Sequence, residues 1–155
     1  MHALGVVSVA ARWGLMIHMK RLLNQIRGMF SRQDDSVGAR GERAAERYLR
    51  QLGYKALARN LRSKLGEIDL LMLTPDGGAV VLVEVKSSEN RQSAVPPEAR
   101  VGQAKQRKLT VLAKQLIHKH KLHDRAVRFD VVGVDLRDGE KPEIRHYVNA
   151  FEAAW

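Results

Sequence analysis

The chain contains no cysteine, which rules out disulfide staples and cysteine-ligated zinc and is compatible with a reducing, cytoplasmic setting. Aromatic residues are scarce: two Trp, three Tyr and three Phe, too scattered to form platforms for stacking bases. Proline occurs only four times. No stretch reaches the roughly 20 apolar residues that a membrane span needs. Neither a repeat nor a low-complexity tract interrupts the chain. At 155 residues it is long enough for one domain with a real core.

What the chain has in excess is positive charge, a formal +10. Five basic and two acidic residues give residues 1–36 a charge of +3, leaving +7 on residues 37–155. A basic domain of this kind most often meets nucleic acid. Residues 12–30 are amphipathic and basic, the composition of a membrane-surface helix. His18, Lys20 and Arg21 interrupt the apolar side, and Met16 and Met19 offer alternative starts. Residues 1–36 therefore read as a basic extension, mobile or mis-assigned, rather than a membrane anchor. The polar stretch 32–38 reads as a linker, and residues 37–152 as the folded domain.

Within that domain, Val37 to Leu52 has helical periodicity, with Ala45, Tyr48, Leu49 and Leu52 as its apolar stripe. Glu42 extends the stripe and so faces the sheet, while Arg43, Arg47 and Arg50 lie opposite. Gly53 ends the helix. Strands follow over Tyr54 to Asn60, Gly66 to Leu73 and Ala79 to Lys86, the last two joined by the turn chemistry of residues 74–78. Residues 87–97 read as a loop. A second helix covers Ala99 to Lys121, burying Leu109, Leu112, Ala113, Leu116 and Ile117. Val127 to Leu136 and Glu143 to Val148 supply two more strands. The helix between the third and fourth strands permits parallel pairing, so the sheet is mixed.

The second and third strands place acid inside apolar runs: Glu67 and Asp69 in one, Glu84 in the other, with Lys86 at its exit. Charge buried this way costs several kcal/mol per ion, about that even after relaxation, and needs a partner. Side chains alternate along a strand, so Glu84 and Lys86 share a direction. A hairpin brings Asp69 near Glu84. Two hard oxygen ligands and an ammonium group suit metal-assisted hydrolysis. They equally suit a structural Lys86–Glu84 ion pair, and the pattern leaves both open. Asp130, alone in an apolar strand, reads as a hydrogen-bonded structural acid. His118, His120 and His123 look like a metal cluster, but on a helix 118 and 120 point about 200° apart, so they read as a polar helix end.

These residues resemble the restriction-endonuclease-like nucleases, whose signature is an Asp, a variable gap and Glu-x-Lys; here it is Asp69, then Glu84-Val-Lys86, behind a helical Glu42. More closely, Gly41 to Leu49, Asn60 to Arg62, Gly66 to Leu70, Val83 to Lys86, Lys105 to Arg107, Arg128 to Val132 and Val148 to Phe151 resemble the YraN-like bacterial family. The resemblance covers residues 37–152. It implies an α/β fold with a restriction-endonuclease-like αβββαβ core, a mixed central sheet flanked by helices. It implies a Mg²⁺ (or Mn²⁺) site made by Asp69, Glu84, the Val85 carbonyl and Glu42, with Lys86 serving the attacking water. The expected activity is phosphodiester hydrolysis on DNA, including branched or damaged forms. The alternative is a binding protein on a nuclease fold that no longer cleaves. Arg59, Arg62, Lys64, Lys105, Gln106, Arg107 and Lys108 are the candidate phosphate contacts. A homodimer would suit a two-strand cut.

Overall fold

The structure, a computed structural model, describes residues 35–89, 101–120, 122 and 125–153. The expectations for the basic extension, the 12–30 segment, most of the 87–97 loop and His123 lie outside the described residues. The elements run α1 (Val37–Gln51), β1 (Lys55–Ser63), β2 (Gly66–Leu73), β3 (Ala79–Ser88), α2 (Gln103–His120), β4 (Ala126–Asp135) and β5 (Glu143–Phe151). The five strands form one sheet in sequence order. All neighbours are antiparallel except β3 and β4, which are parallel and joined through α2. The expected mixed α/β architecture is what the chain adopts. Among the described residues no helix is long and apolar enough to cross a membrane.

Local chemistry sets the ends of α1. Ser36 Oγ accepts a bond from the Ala39 amide at 3.3 Å and caps the N-terminus. At the other end Gly53, with φ +88°, turns the chain left-handed. The Gly53 amide bonds the Arg50 carbonyl and the Tyr54 amide the Leu49 carbonyl, a Schellman closure that only a glycine enters without strain. The helix thus stops at Gln51, and Leu52, expected in the apolar stripe, is 47% exposed where the chain turns away. The buried stripe is instead Gly41, Ala44, Ala45 and Leu49.

The two helices cover opposite faces of the sheet. Ala44, Ala45 and Leu49 of α1 pack with Leu70, Met72, Val81, Val83, Val132 and Val134. Leu109, Leu112 and Ala113 of α2 pack with Ile68, Leu71, Val80, Leu82, Phe129 and Val131. Both faces of β3 are therefore buried from Val80 to Glu84, which is why that stretch is nearly continuously apolar. β3 also runs on to Ser88 through residues expected to open the loop, because its parallel ladder with β4 continues to the Ser88–Asp135 pair. β5 likewise continues past Val148 to Phe151, whose ring stacks on Phe129 with centroids 4.8 Å apart.

Candidate functional site

The site lies where β2 parts from β3. Their ladder begins at the Leu73–Val80 pair and ends at Leu70–Val83, so the next two residues, Asp69 and Glu84, flank the opening. Asp69 has no registered partner in β1 either, where pairing steps from Arg59–Leu70 to Leu61–Ile68. Opposite it Asn60 adopts a left-handed backbone, φ +48°. Side-chain alternation also breaks here. Ile68 joins Leu71 and Leu73 in the layer under α2, although strict alternation would put it with Leu70 and Met72. Asp69 is the residue at the break, and groups from both faces reach it.

The Asp69 Oδ2 atom accepts the Val85 amide at 2.7 Å, replacing the ladder bond that the parting strands no longer make. Burial pushes the Asp69 carboxyl up to about 7, with the neighbouring Glu84 and Glu42 carboxylates acting in the same direction. Glu84, 5% exposed, points toward α2. Its Oε1 takes the Lys86 ammonium at 2.9 Å. Its Oε2 has the Lys105 ammonium, from the first turn of α2, at 3.0 Å. That second contact is an ion pair without hydrogen-bond alignment, so Oε2 is a fully buried oxygen with no directional partner. Glu42 comes from α1, on the other face. Burial raises its carboxyl above the usual range, against a hydrogen bond from the Asn60 side chain.

One glycine fixes how closely α1 approaches. A Cβ at Gly41 would lie 2.4 Å from the Ser87 Cβ, so the helix crosses β3 where only hydrogen fits. That crossing sets Glu42 beside the opening. Neither Gly41 nor Asn60 figured among the candidate site residues. Both lie in stretches that carry the family resemblance, but their roles depend on a contact and a backbone angle that periodicity does not encode.

Several candidates have other partners. Glu67 pairs with Arg62 at 3.2 Å, its cross-strand neighbour. Arg59 donates to Glu46 Oε1 at 2.9 Å, and Arg50 to the same oxygen at 2.7 Å. Glu46 is only 4% exposed, so Arg59 is first of all the counter-ion of a buried carboxylate. The Gln106 amide donates to the Val101 carbonyl at 2.8 Å and secures the entry to α2. Lys105 sits on Glu84 rather than on the outer surface. Lys64, Arg107 and Lys108 are exposed.

Asp130 stands apart. It pairs in register with Val83 on the α1 face, opposite to Glu84. It accepts two bonds from Arg128 at 2.8 Å, one involving His146 Nε2 at 2.7 Å and the Asn149 amide at 3.0 Å. Burial raises its carboxyl, yet the His146, Arg128 and Asn149 bonds together hold it below its ordinary value. Asp130 is a structural acid, as the sequence implies.

Whether a cation fits can be judged from these contacts. Three carboxylates approach one opening, one of them with an unbonded buried oxygen and another made hard to ionise by its neighbours. Hard oxygen donors of this kind suit Mg²⁺ or Mn²⁺. Among the described residues no three acidic or histidine side chains converge as a ligand cluster, and Lys86 and Lys105 both hold Glu84. The donors fit, with the lysines standing where the cation's charge would act.

The chain has relatives among known proteins. The chain is 42% identical over 120 residues to a UPF0102 protein of Pelobacter propionicus, covering 77% of this chain and 85% of that one. It is 39% identical over 116 residues to a UPF0102 protein of Rhodococcus opacus, covering 75% and 96%. Among solved structures, SfsA of Pyrococcus furiosus in complex with Ca²⁺ aligns over 72% of this chain and 62% of that one, with 16% identity and a TM-score of 0.34, too low to carry an argument. Residues 41–134, which run from within α1 to within β4, match the sequence model of Uncharacterised protein family UPF0102, and the chain belongs to that family.

Proposed function

We propose that the chain is a metal-dependent phosphodiesterase acting on DNA. One observation carries the reading: Asp69 and Glu84 flank the parting of β2 and β3, with Lys86 Nζ 2.9 Å from Glu84. A purely structural sheet has no need of three charged groups at one half-buried opening. Asp69, Glu84 and the Val85 carbonyl would hold a Mg²⁺ or Mn²⁺ ion, with Glu42 as a further or water-mediated ligand. The ion would supply Lewis acidity at the scissile phosphate.

The protein's own groups account for the rest. The Asp69–Val85 bond keeps the carboxylate rigid, and rigidity is what makes a preorganised site effective. Lys86, tethered on the Glu84 strand, would orient the attacking water and, as an ammonium, stabilise the negative charge that develops as the water attacks. Exposed Lys64, Arg107 and Lys108 would meet phosphates along the strand, which positions a substrate without reading its bases. No base-reading motif accompanies them, so substrate shape is the expected basis of selection, with flaps, junctions or damaged duplexes as candidates.

A second reading has its own observation. Glu84 is already neutralised by two ammonium groups, the arrangement expected of a binding protein that has kept the fold without cleavage. End-labelled single-stranded, duplex, flapped and four-way-junction DNA separate the two. With Mg²⁺ or Mn²⁺ the wild type should cut at least one of them, and EDTA or Glu84→Ala should abolish cutting. Binding without cutting under every condition supports the second reading instead.

A further inference from the structure

We propose that Lys105 is a resident counter-cation of Glu84 that an incoming divalent ion displaces, and that the displaced ammonium then becomes a phosphate contact of the site. The inference rests on the metal-site reading above. Glu84 is 5% exposed, and a carboxylate buried that deeply requires compensating charge whenever no metal is bound. Lys86, on the same strand, supplies one ammonium to Oε1. Lys105 supplies the second, to Oε2, from a different element.

The two contacts differ in kind. Lys86 makes a hydrogen bond to Oε1 at 2.9 Å. Lys105 is 3.0 Å from Oε2 without a hydrogen-bond alignment, so that oxygen is left with charge but no directed bond. The Lys105 contact is the exchangeable one. Both lysine side chains reach solvent, 34% exposed for Lys86 and 35% for Lys105, so the missing directed bond is what sets Lys105 apart. A long, flexible ammonium moves without the rest of its helix. The helix itself stays anchored, because the Gln106 side-chain amide donates to the Val101 carbonyl at 2.8 Å and the Lys105 and Gln106 backbone amides donate to the Gly102 carbonyl.

Charge gives the same answer. With all groups ionised, Glu42, Asp69, Glu84, Lys86 and Lys105 carry a formal −1. A divalent ion with both lysines retained makes it +1 at close quarters; departure of Lys105 restores neutrality. An ammonium and a divalent ion also repel across a shared oxygen. The freed Lys105 stays tethered at the rim, where it is suited to a phosphate oxygen. By linkage, metal and DNA then strengthen each other's binding.

The test measures Mn²⁺ binding to the full chain by electron paramagnetic resonance, with and without a phosphorothioate single strand. Wild type, Lys105→Met, Lys105→Arg and Glu84→Gln are compared. Lys105→Met should bind Mn²⁺ about 5-fold tighter or more, within the range of ordinary site-to-site coupling, and Lys105→Arg should stay near wild type. The DNA strand should tighten Mn²⁺ binding in the wild type and not in Lys105→Met. Circular dichroism of each variant keeps a folding defect from imitating either result. Equal Mn²⁺ affinities for wild type and a folded Lys105→Met would overturn the role of Lys105 while leaving the metal site standing. Absence of Mn²⁺ binding that Glu84→Gln weakens would overturn both.

Discussion

Asp69 accepts the Val85 amide across the gap where β2 leaves β3, at 2.7 Å, so a side chain completes what the backbone ladder abandons. The same carboxylate lies beside Glu84 and Glu42, and burial with those neighbours lifts its pKa from 3.8 to about 7. The unfolded chain releases this proton first, so ionisation opposes folding. The stabilising contribution is complete below about pH 4 and is lost as the pH rises through about 7. Thermal melts between pH 4 and 8 should show that decline. Asp69→Asn, which still accepts the Val85 amide, should flatten it and melt several degrees above wild type at pH 8, about 2–4 °C for each kcal/mol recovered. Parallel curves for the two proteins would remove Asp69 as the titrating group.

Gly41 governs the height of α1 over the sheet. Alanine there would bring its Cβ to 2.4 Å from that of Ser87, and backbone has to move. Gly41→Ala should destabilise by about 1–3 kcal/mol in urea titrations, the usual cost of overpacking. Ser87→Gly in the same chain removes the obstructing atom and should recover part of that loss. A double variant no better than the sum of its singles would place the strain elsewhere.

Asp130 is a stability residue without a part in the site. Removing its carboxylate strands the Arg128 guanidinium, and Asp130→Ala should cost about 3–5 kcal/mol at pH 7. Because its folded pKa is held below 3.8, its contribution is present at pH values above 3.8 and disappears as the pH falls through the lower folded value. The gap between wild type and variant should therefore close in strong acid. Mn²⁺ affinity should be unchanged, and a large change would mean that the two faces of the sheet are coupled.

The basic candidates should separate by their dependence on salt. Arg107→Ala and Lys108→Ala should each lower the slope of log DNA affinity against log salt by about 1. Arg59→Met should leave that slope alone and instead destabilise the fold by about 1–3 kcal/mol, because buried Glu46 loses its main guanidinium partner. A reduced slope with unchanged stability would return Arg59 to the phosphate contacts.

Much of this was legible in the sequence because period and burial are local matters. An apolar run bearing single acids marks a buried strand with something to compensate, so Asp69, Glu84 and Lys86 stand out before any coordinates. The turn at residues 74–78 fixes the hairpin, and a helix between the third and fourth strands permits the parallel pair. The heptad-like spacing that puts Glu42 toward the sheet also holds. Leu52 misled because the periodic pattern runs past Gly53's partner bonds into a residue the turning chain exposes. Lys105 and Arg59 looked like surface charge because their partners, Glu84 and Glu46, are distant in sequence.

The sequence by itself determined the elements, their order and the acids that the sheet must bury, because propensity, periodicity and turn chemistry act within a few residues. Only the tertiary structure decided which charge answers which. Pairing across 13 residues, as between Arg59 and Glu46, or across the β3–α2 boundary, as between Glu84 and Lys105, follows from how layers stack. The same holds for the parting of β2 and β3 and the close crossing at Gly41. Packing and Coulomb energy act between groups that chain connectivity alone does not bring together.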